Sequence, residues 1–189
     1  MRMSREAKAE HHTEIVAVGS RMLRERGIAG TSVADIMQAA GLTHGGFYRH
    51  FESKEALVAE ASEAAHGEFL TRLNNSSEGD QAHAALEAYV TDYLSDIHVA
   101  NPDIGCPMAA LGAEVAREQA SLHQVFAKGT EGLIEKFSAA QTGMPAERRA
   151  KALKLFITLV GSMVIARAEG GGELREEILS TGRNASQVE

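Results

Sequence analysis

Gly41-Leu-Thr-His-Gly-Gly-Phe-Tyr-Arg-His-Phe-Glu-Ser-Lys-Glu-Ala-Leu57 reads as a sharp turn, a short helix and the opening of a longer one. Just upstream, Thr31-Ser32 offers an N-cap hydroxyl ahead of Val33, Ile36, Met37 and Ala40, apolar positions spaced for one face of a short helix. Gly41 ends that helix, because glycine takes positive φ without a Cβ clash and turns the chain abruptly. Leu42 packs back under both helices, Thr43 is a good N-cap, and the next helix runs from His44 to about His50. Phe47 and Phe51 hold it to a core, and Ser53 caps the helix that starts at Lys54. Two short helices joined through one glycine turn have the geometry that sets the second in a DNA major groove.

Three stretches carry a resemblance to the TetR family of bacterial transcriptional regulators. They are Thr31-Ser32-Val33-Ala34-Asp35-Ile36, the turn Ala40-Gly41-Leu42-Thr43, and Phe47-Tyr48-Arg49-His50-Phe51 followed by Ser53-Lys54-Glu55-Ala56-Leu57. Together they cover roughly residues 12 to 60, about a quarter of the chain, and the tyrosine, phenylalanine and lysine at this spacing make the signal specific. The resemblance implies an all-α chain with an N-terminal three-helix helix-turn-helix domain and a C-terminal helical domain for effector binding and dimerisation. It further implies a homodimer on an inverted-repeat operator in double-stranded DNA, repressing transcription until a small molecule enters the body. An activator, or a regulator answering to a partner protein, is the neighbouring alternative.

The formal net charge of −7 looks wrong for such a role until it is divided. Residues 1–52 hold seven basic side chains (Arg2, Arg5, Lys8, Arg21, Arg24, Arg26, Arg49) against six acidic ones, a balance of +1 that leaves −8 on the rest. A near-neutral head with His11, His12, His44 and His50 meets phosphate without strong repulsion, while the acidic body keeps the protein soluble. No apolar run reaches the ~18 residues of a membrane span, and Met1-Arg-Met-Ser-Arg-Glu6 lacks the hydrophobic block of a secretion signal, so a cytoplasmic protein is expected. One cysteine, Cys106, excludes an internal disulfide.

Nine helices are expected in all. The first spans Arg5 to Arg26, two short ones follow, and a fourth runs from Lys54 to about Asn74. Asn74-Asn-Ser-Ser-Glu-Gly-Asp80 reads as a linker before a helix from Gln81 to Val99. The remainder run from Pro107 to Glu118, Ser121 to Ala140, Ala146 to Ala168 and Glu173 to about Leu179. The domains divide as residues 1–53 for DNA, 54–180 for effector and dimerisation, and a polar tail over 181–189.

Thr31, Thr43, Tyr48, His50 and Lys54 are donors placed around the short helix, suited to phosphate oxygens that fix register. The resemblance implies backbone contacts for the tyrosine, histidine and lysine. Sequence reading falls to His44, Gly45 and Gly46, with help from Thr43 and Arg49. Many relatives carry a larger side chain at one of the two glycine positions, and each glycine inside a helix costs about 1 kcal/mol relative to alanine.

In the body, Phe69, Tyr89, Tyr93, Met108, Leu111, Phe126, Phe137 and Met163 are soft or aromatic side chains suited to an apolar or aromatic effector, with His66 and His123 nearby. Leu153, Phe156, Ile157, Val160, Gly161 and Val164 form a helical stripe broader than one intramolecular face needs, and the resemblance implies that it pairs with a second copy. Gly105-Cys106-Pro107 puts the cysteine at a helix N-cap, a setting that favours a thiolate; a small residue fitting the tight break is the first reading, and a sensor of electrophiles or oxidants is the alternative. Cofactors, metals and catalysis are not expected. His66, His83, His98 and His123 are isolated, and none forms His-x3-His with a carboxylate or pairs with a cysteine at metal spacing.

Overall fold

The helix-favouring composition resolves into nine α-helices and two 3₁₀ segments in the computed structural model, which describes residues 5–72 and 80–186 and holds no strand among them. The head comprises α1 (Arg5–Arg26), α2 (Val33–Ala39) and a 3₁₀ segment, His44–Arg49, hereafter the recognition segment. The body follows as α3 (Lys54–Thr71), α4 (Asp80–Tyr93), α5 (Asp96–Ala100), α6 (Pro107–Val115), α7 (Ala120–Ala139), α8 (Pro145–Ala168) and α9 (Glu173–Ala185). Gly27 at φ 78° ends α1 and Gly41 at φ 72° turns the chain after α2, as the sequence requires.

Serine side chains cap three of the other helix starts. Ser32 closes a capping box on α2, its hydroxyl accepting from the Asp35 amide at 3.1 Å while Asp35 receives the Ser32 amide. Ser53 accepts from the Ala56 amide at 3.2 Å to start α3. The helix expected over Gln81 to Val99 instead breaks after Tyr93, because Ser95 caps a new helix by accepting from the His98 amide at 3.2 Å. At the far end α9 runs on into the expected polar tail, since Gly182 and Ser186 are buried and Arg183 donates to the Leu94 carbonyl. Of the expected Asn74–Asp80 linker, all but Asp80 lies outside the described residues.

Two hydrophobic clusters organise the chain. The head cluster joins Ile15, Leu23, Ile36, Met37, Phe47, Phe51 and Leu57 to Leu111 and Val115 of α6 and to Leu122 and Phe126 of α7. The body cluster gathers Phe69, Tyr89, Tyr93, Cys106, Leu133, Phe137, Phe156, Leu159 and Met163. α3 threads both, with α1 packed on one side and α7 on the other, and α8 lies between α7 and α9.

Candidate nucleic-acid interface

Phe47 and Phe51 orient the recognition segment. Their rings stack at 5.6 Å and both are buried, so residues on the other side of this short element turn to solvent. Its bonding is of the i→i−3 type, with the Gly46 amide on the Thr43 carbonyl at 2.9 Å and the His50 amide on Phe47 at 2.8 Å. The expected α-helix is therefore a 3₁₀ turn, the tighter form that short, glycine-containing segments adopt. Thr43, His44, Gly45, Tyr48 and Arg49 are exposed, Gly46 and His50 half-buried, and Tyr48 is 72% exposed with its ring edge-on to Phe47.

The fold itself does not need the two glycines. Neither has positive φ, a Cβ on Gly45 would meet nothing within 4 Å, and one on Gly46 would make only ordinary contact with Met37 at 3.6 Å.

Behind the segment lies a histidine cluster that the sequence does not announce. His12 stacks on Phe51 at 4.6 Å and places Nε2 2.6 Å from Glu60, while the His50 ring lies 6.0 Å from His12 and 6.4 Å from His11. Burial first, then the positive neighbours His12, Lys8, His11 and Arg49, hold His50 below the ordinary histidine range.

Two expected phosphate ligands are occupied elsewhere. Thr31 is buried and its hydroxyl reaches the Gly27 carbonyl at 2.7 Å, so it braces the turn after α1. Lys54 does not lean outward; its Nζ donates to the Ile28 carbonyl at 2.8 Å, because that loop lies within reach of the start of α3.

The sequence profile described as bacterial regulatory proteins, tetR family, matches residues 15–61. The chain is 31% identical over 136 residues to the HTH-type transcriptional repressor NemR of Escherichia coli, covering 69% of this chain and 68% of that one. The chain belongs to the TetR family. Other relatives are the repressor KstR2 of Rhodococcus jostii, 34% identical over 85 residues (44% of this chain, 42% of that one), and the regulator TtgR of Pseudomonas putida, 34% over 80 residues (42% and 38%). Among solved structures, E. coli NemR in reduced form superimposes with a TM-score of 0.75 at 24% identity, covering 93% of this chain and 96% of that one, which is a likeness of fold. This TetR-family protein is thus a DNA-binding transcriptional regulator, a transcription factor and not an enzyme.

Within the regulator's body the expected effector residues do not form one group. Phe69, Tyr89, Tyr93, Phe137 and Met163 meet in the body cluster, where Phe69 stands edge-on to both tyrosines at 5.9 Å and Tyr89 lies 5.8 Å from Tyr93. The Tyr89 hydroxyl is buried without a hydrogen-bond partner, the Tyr93 hydroxyl lies against the Cys106 thiol, and burial keeps both tyrosines protonated. Leu111 and Phe126 instead belong to the head cluster, because the last turn of α6 and the first half of α7 reach up to the head. Met108, half-buried, touches both clusters.

Cys106 does stand at the N-cap of α6, but it is fully buried and burial raises its pKa, so the expected thiolate is a neutral thiol. The α8 stripe divides too. Phe156 points into the body core and Val160 packs against it, whereas Leu153, Ile157, Val164 and Ile165 are exposed, as is Leu174 of α9, and Gly161 has nothing within 4 Å of where its Cβ would stand. No group of three metal-binding side chains and no helix long and apolar enough to cross a membrane occurs among the described residues.

Sequence reading missed the ties between head and body. Arg24, buried on α1, donates to the Ser20 hydroxyl, to Glu68 of α3 and to the Gly105 carbonyl, each at 3.0 Å. Glu114 of α6 accepts from the Ile28 and Ala29 amides at 2.9 and 3.1 Å. His98 links α4 to α6, its Nδ1 on the Tyr93 carbonyl at 2.7 Å and its Nε2 accepting from the Cys106 amide at 3.0 Å. The only sequence signal for Arg24 is a cation one turn beyond Ser20 on the buried stripe of α1.

Proposed function

We propose that this regulator is a homodimeric repressor that occupies an inverted-repeat operator and is released when an apolar or aromatic effector enters its helical body. The observation that carries the reading is the recognition segment, whose two phenylalanines are buried while Thr43, His44, Gly45, Tyr48 and Arg49 stand clear of the head. Tyr48 and His50 meet phosphate, and His44, Gly45 and Gly46 approach base edges with Thr43 and Arg49 beside them. Lys54 acts through the loop it fastens, and Thr31 through the turn it braces.

Dimerisation is supported by the apolar side chains left uncovered on α8 and α9; paired with their copies they form a four-helix seam and space the heads about one DNA turn (roughly 34–36 Å) apart. The Tyr89 hydroxyl, buried without a partner, supports an effector that brings an acceptor oxygen into the aromatic core, since a buried donor without a partner carries a free-energy penalty. Arg24 and Glu114 then transmit the change, because both fasten the head to segments that border that core.

The test is selection of bound fragments from the source genome followed by footprinting: a protected inverted repeat overlapping a promoter is expected, and protection only upstream of it favours an activator. A monomer showing no preference over competitor DNA overturns the proposal.

A second reading makes Cys106 a covalent sensor of electrophiles or oxidants. It draws on the α6 N-cap position, on Tyr93 alongside the thiol, and on the relative NemR having a structure described as its reduced form. Burial of the thiol requires the body to open before reaction. If Cys106→Ser leaves release by quinones, aldehydes or peroxide unchanged, this second reading falls.

A further inference from the structure

A groove of about 500 Å³ runs between α3 and α7. Missing side chains create it. A Cβ on Gly129 would overlap the His66 imidazole, and one on Gly132, a turn further along α7, would press on Leu70 at 3.2 Å. Glycine at both positions therefore lets the two helices lie close while a trench remains between His66 and Leu70 on one wall and Val125 on the other.

His66 sets the chemistry of this trench. It is 4% exposed, and its Nδ1 lies 2.9 Å from the Ser62 carbonyl, which can only accept, so Nδ1 carries the proton and Nε2 presents a lone pair. Nε2 is buried with no partner, and burial keeps the ring neutral. A buried acceptor without a donor is costly, and a guest that supplies the donor removes the cost. At the rim the ion pairs Lys128–Glu63 at 2.6 Å and Arg149–Glu131 at 2.9 Å cancel charge, and Glu135 adds a negative one that disfavours anions.

We propose that this groove binds a neutral, ring-sized apolar molecule carrying one hydroxyl or N–H that donates a hydrogen bond to His66 Nε2. Its regulatory consequence rests on the effector reading above. The imidazole stands edge-on to Phe126 at 4.8 Å, and Phe126 is part of the cluster that carries the head, so a guest that shifts His66 or parts α3 from α7 disturbs the seat of the recognition segment.

The probes are naphthol and its methyl ether, alike except that only the first donates, titrated against the purified full chain without DNA. Naphthol is expected to bind about tenfold more tightly, the discrimination one hydrogen bond to a buried acceptor gives. His66→Phe should erase that gap without lowering the melting midpoint, and Gly132→Leu should weaken both probes by filling the trench. Equal affinity for the two probes, no binding of either, a gap that survives His66→Phe, or unchanged affinity in Gly132→Leu each overturns the site; the last still decides if His66→Phe does not fold. Repeating the titration on the operator complex separates the two ideas: naphthol that binds the groove yet leaves DNA affinity unchanged removes the effector role and keeps the site.

Discussion

The glycine pair at 45 and 46 stands in the head with no steric duty there, since both φ values are ordinary and a Cβ at either position fits. Alanine at either position should therefore hold or raise stability, by up to about 1 kcal/mol, while changing which operator sequence is preferred. Tyr48→Phe, by contrast, removes the hydroxyl proposed to meet phosphate from a side chain 72% exposed and should weaken binding to all sequences alike. Titration against a panel of operator variants reads both, and equal effects from the two sets contradict the division of labour. Burial holds His50, His66 and His98 below the ordinary histidine range, His98 at about 4. The unfolded chain then takes up these protons first, so the stability is complete above that range and drains as pH falls towards the folded values. Melting midpoints should drop between about pH 7 and about pH 4; a flat or rising profile refutes the assignment.

Helix α6 spans the distance between core and head. Its first residues lie beside Cys106 in the body cluster, and its last turn puts Leu111 and Val115 in the head cluster and Glu114 on the loop after α1. Glu114→Gln exchanges a charged acceptor for a neutral one and should cost about 1 kcal/mol, with operator affinity kept and the effector concentration for release shifted. Denaturant midpoints and effector titrations on the operator complex check it, and unchanged release separates the latch from the switch. Arg24→Met leaves the Gly105 carbonyl without its donor and frees Glu68 from α1, for a loss of about 1–3 kcal/mol in the denaturant midpoint. A change under half of that would show that these bonds are matched by water. Helix boundaries were readable where a cap or glycine stands, as at Ser32, Gly41 and Ser53. They were not readable at Ser95, whose capping role depends on His98 being held by Tyr93 and Cys106.

Ile157, 67% exposed at the middle of the outward face of α8, tests the assembled particle. Ile157→Glu places charge in the expected seam and should give monomers in sedimentation, with operator affinity reduced at least tenfold because two half-sites no longer bind as one; a dimer that persists moves the interface elsewhere. By itself the sequence determined the all-α class, the helix-turn-helix and the burial of Phe47 and Phe51, because periodicity, caps and a glycine turn act over a few neighbouring residues. Only the tertiary structure decided that Thr31 and Lys54 serve the head's own loops, that Phe156 faces inward while Ile157 does not, that Leu111 and Phe126 support the head, and that Cys106 is a buried thiol. Each of those depends on which distant segment fills the space beside a side chain, and residues 24 and 105, or 28 and 114, meet only once the chain has folded.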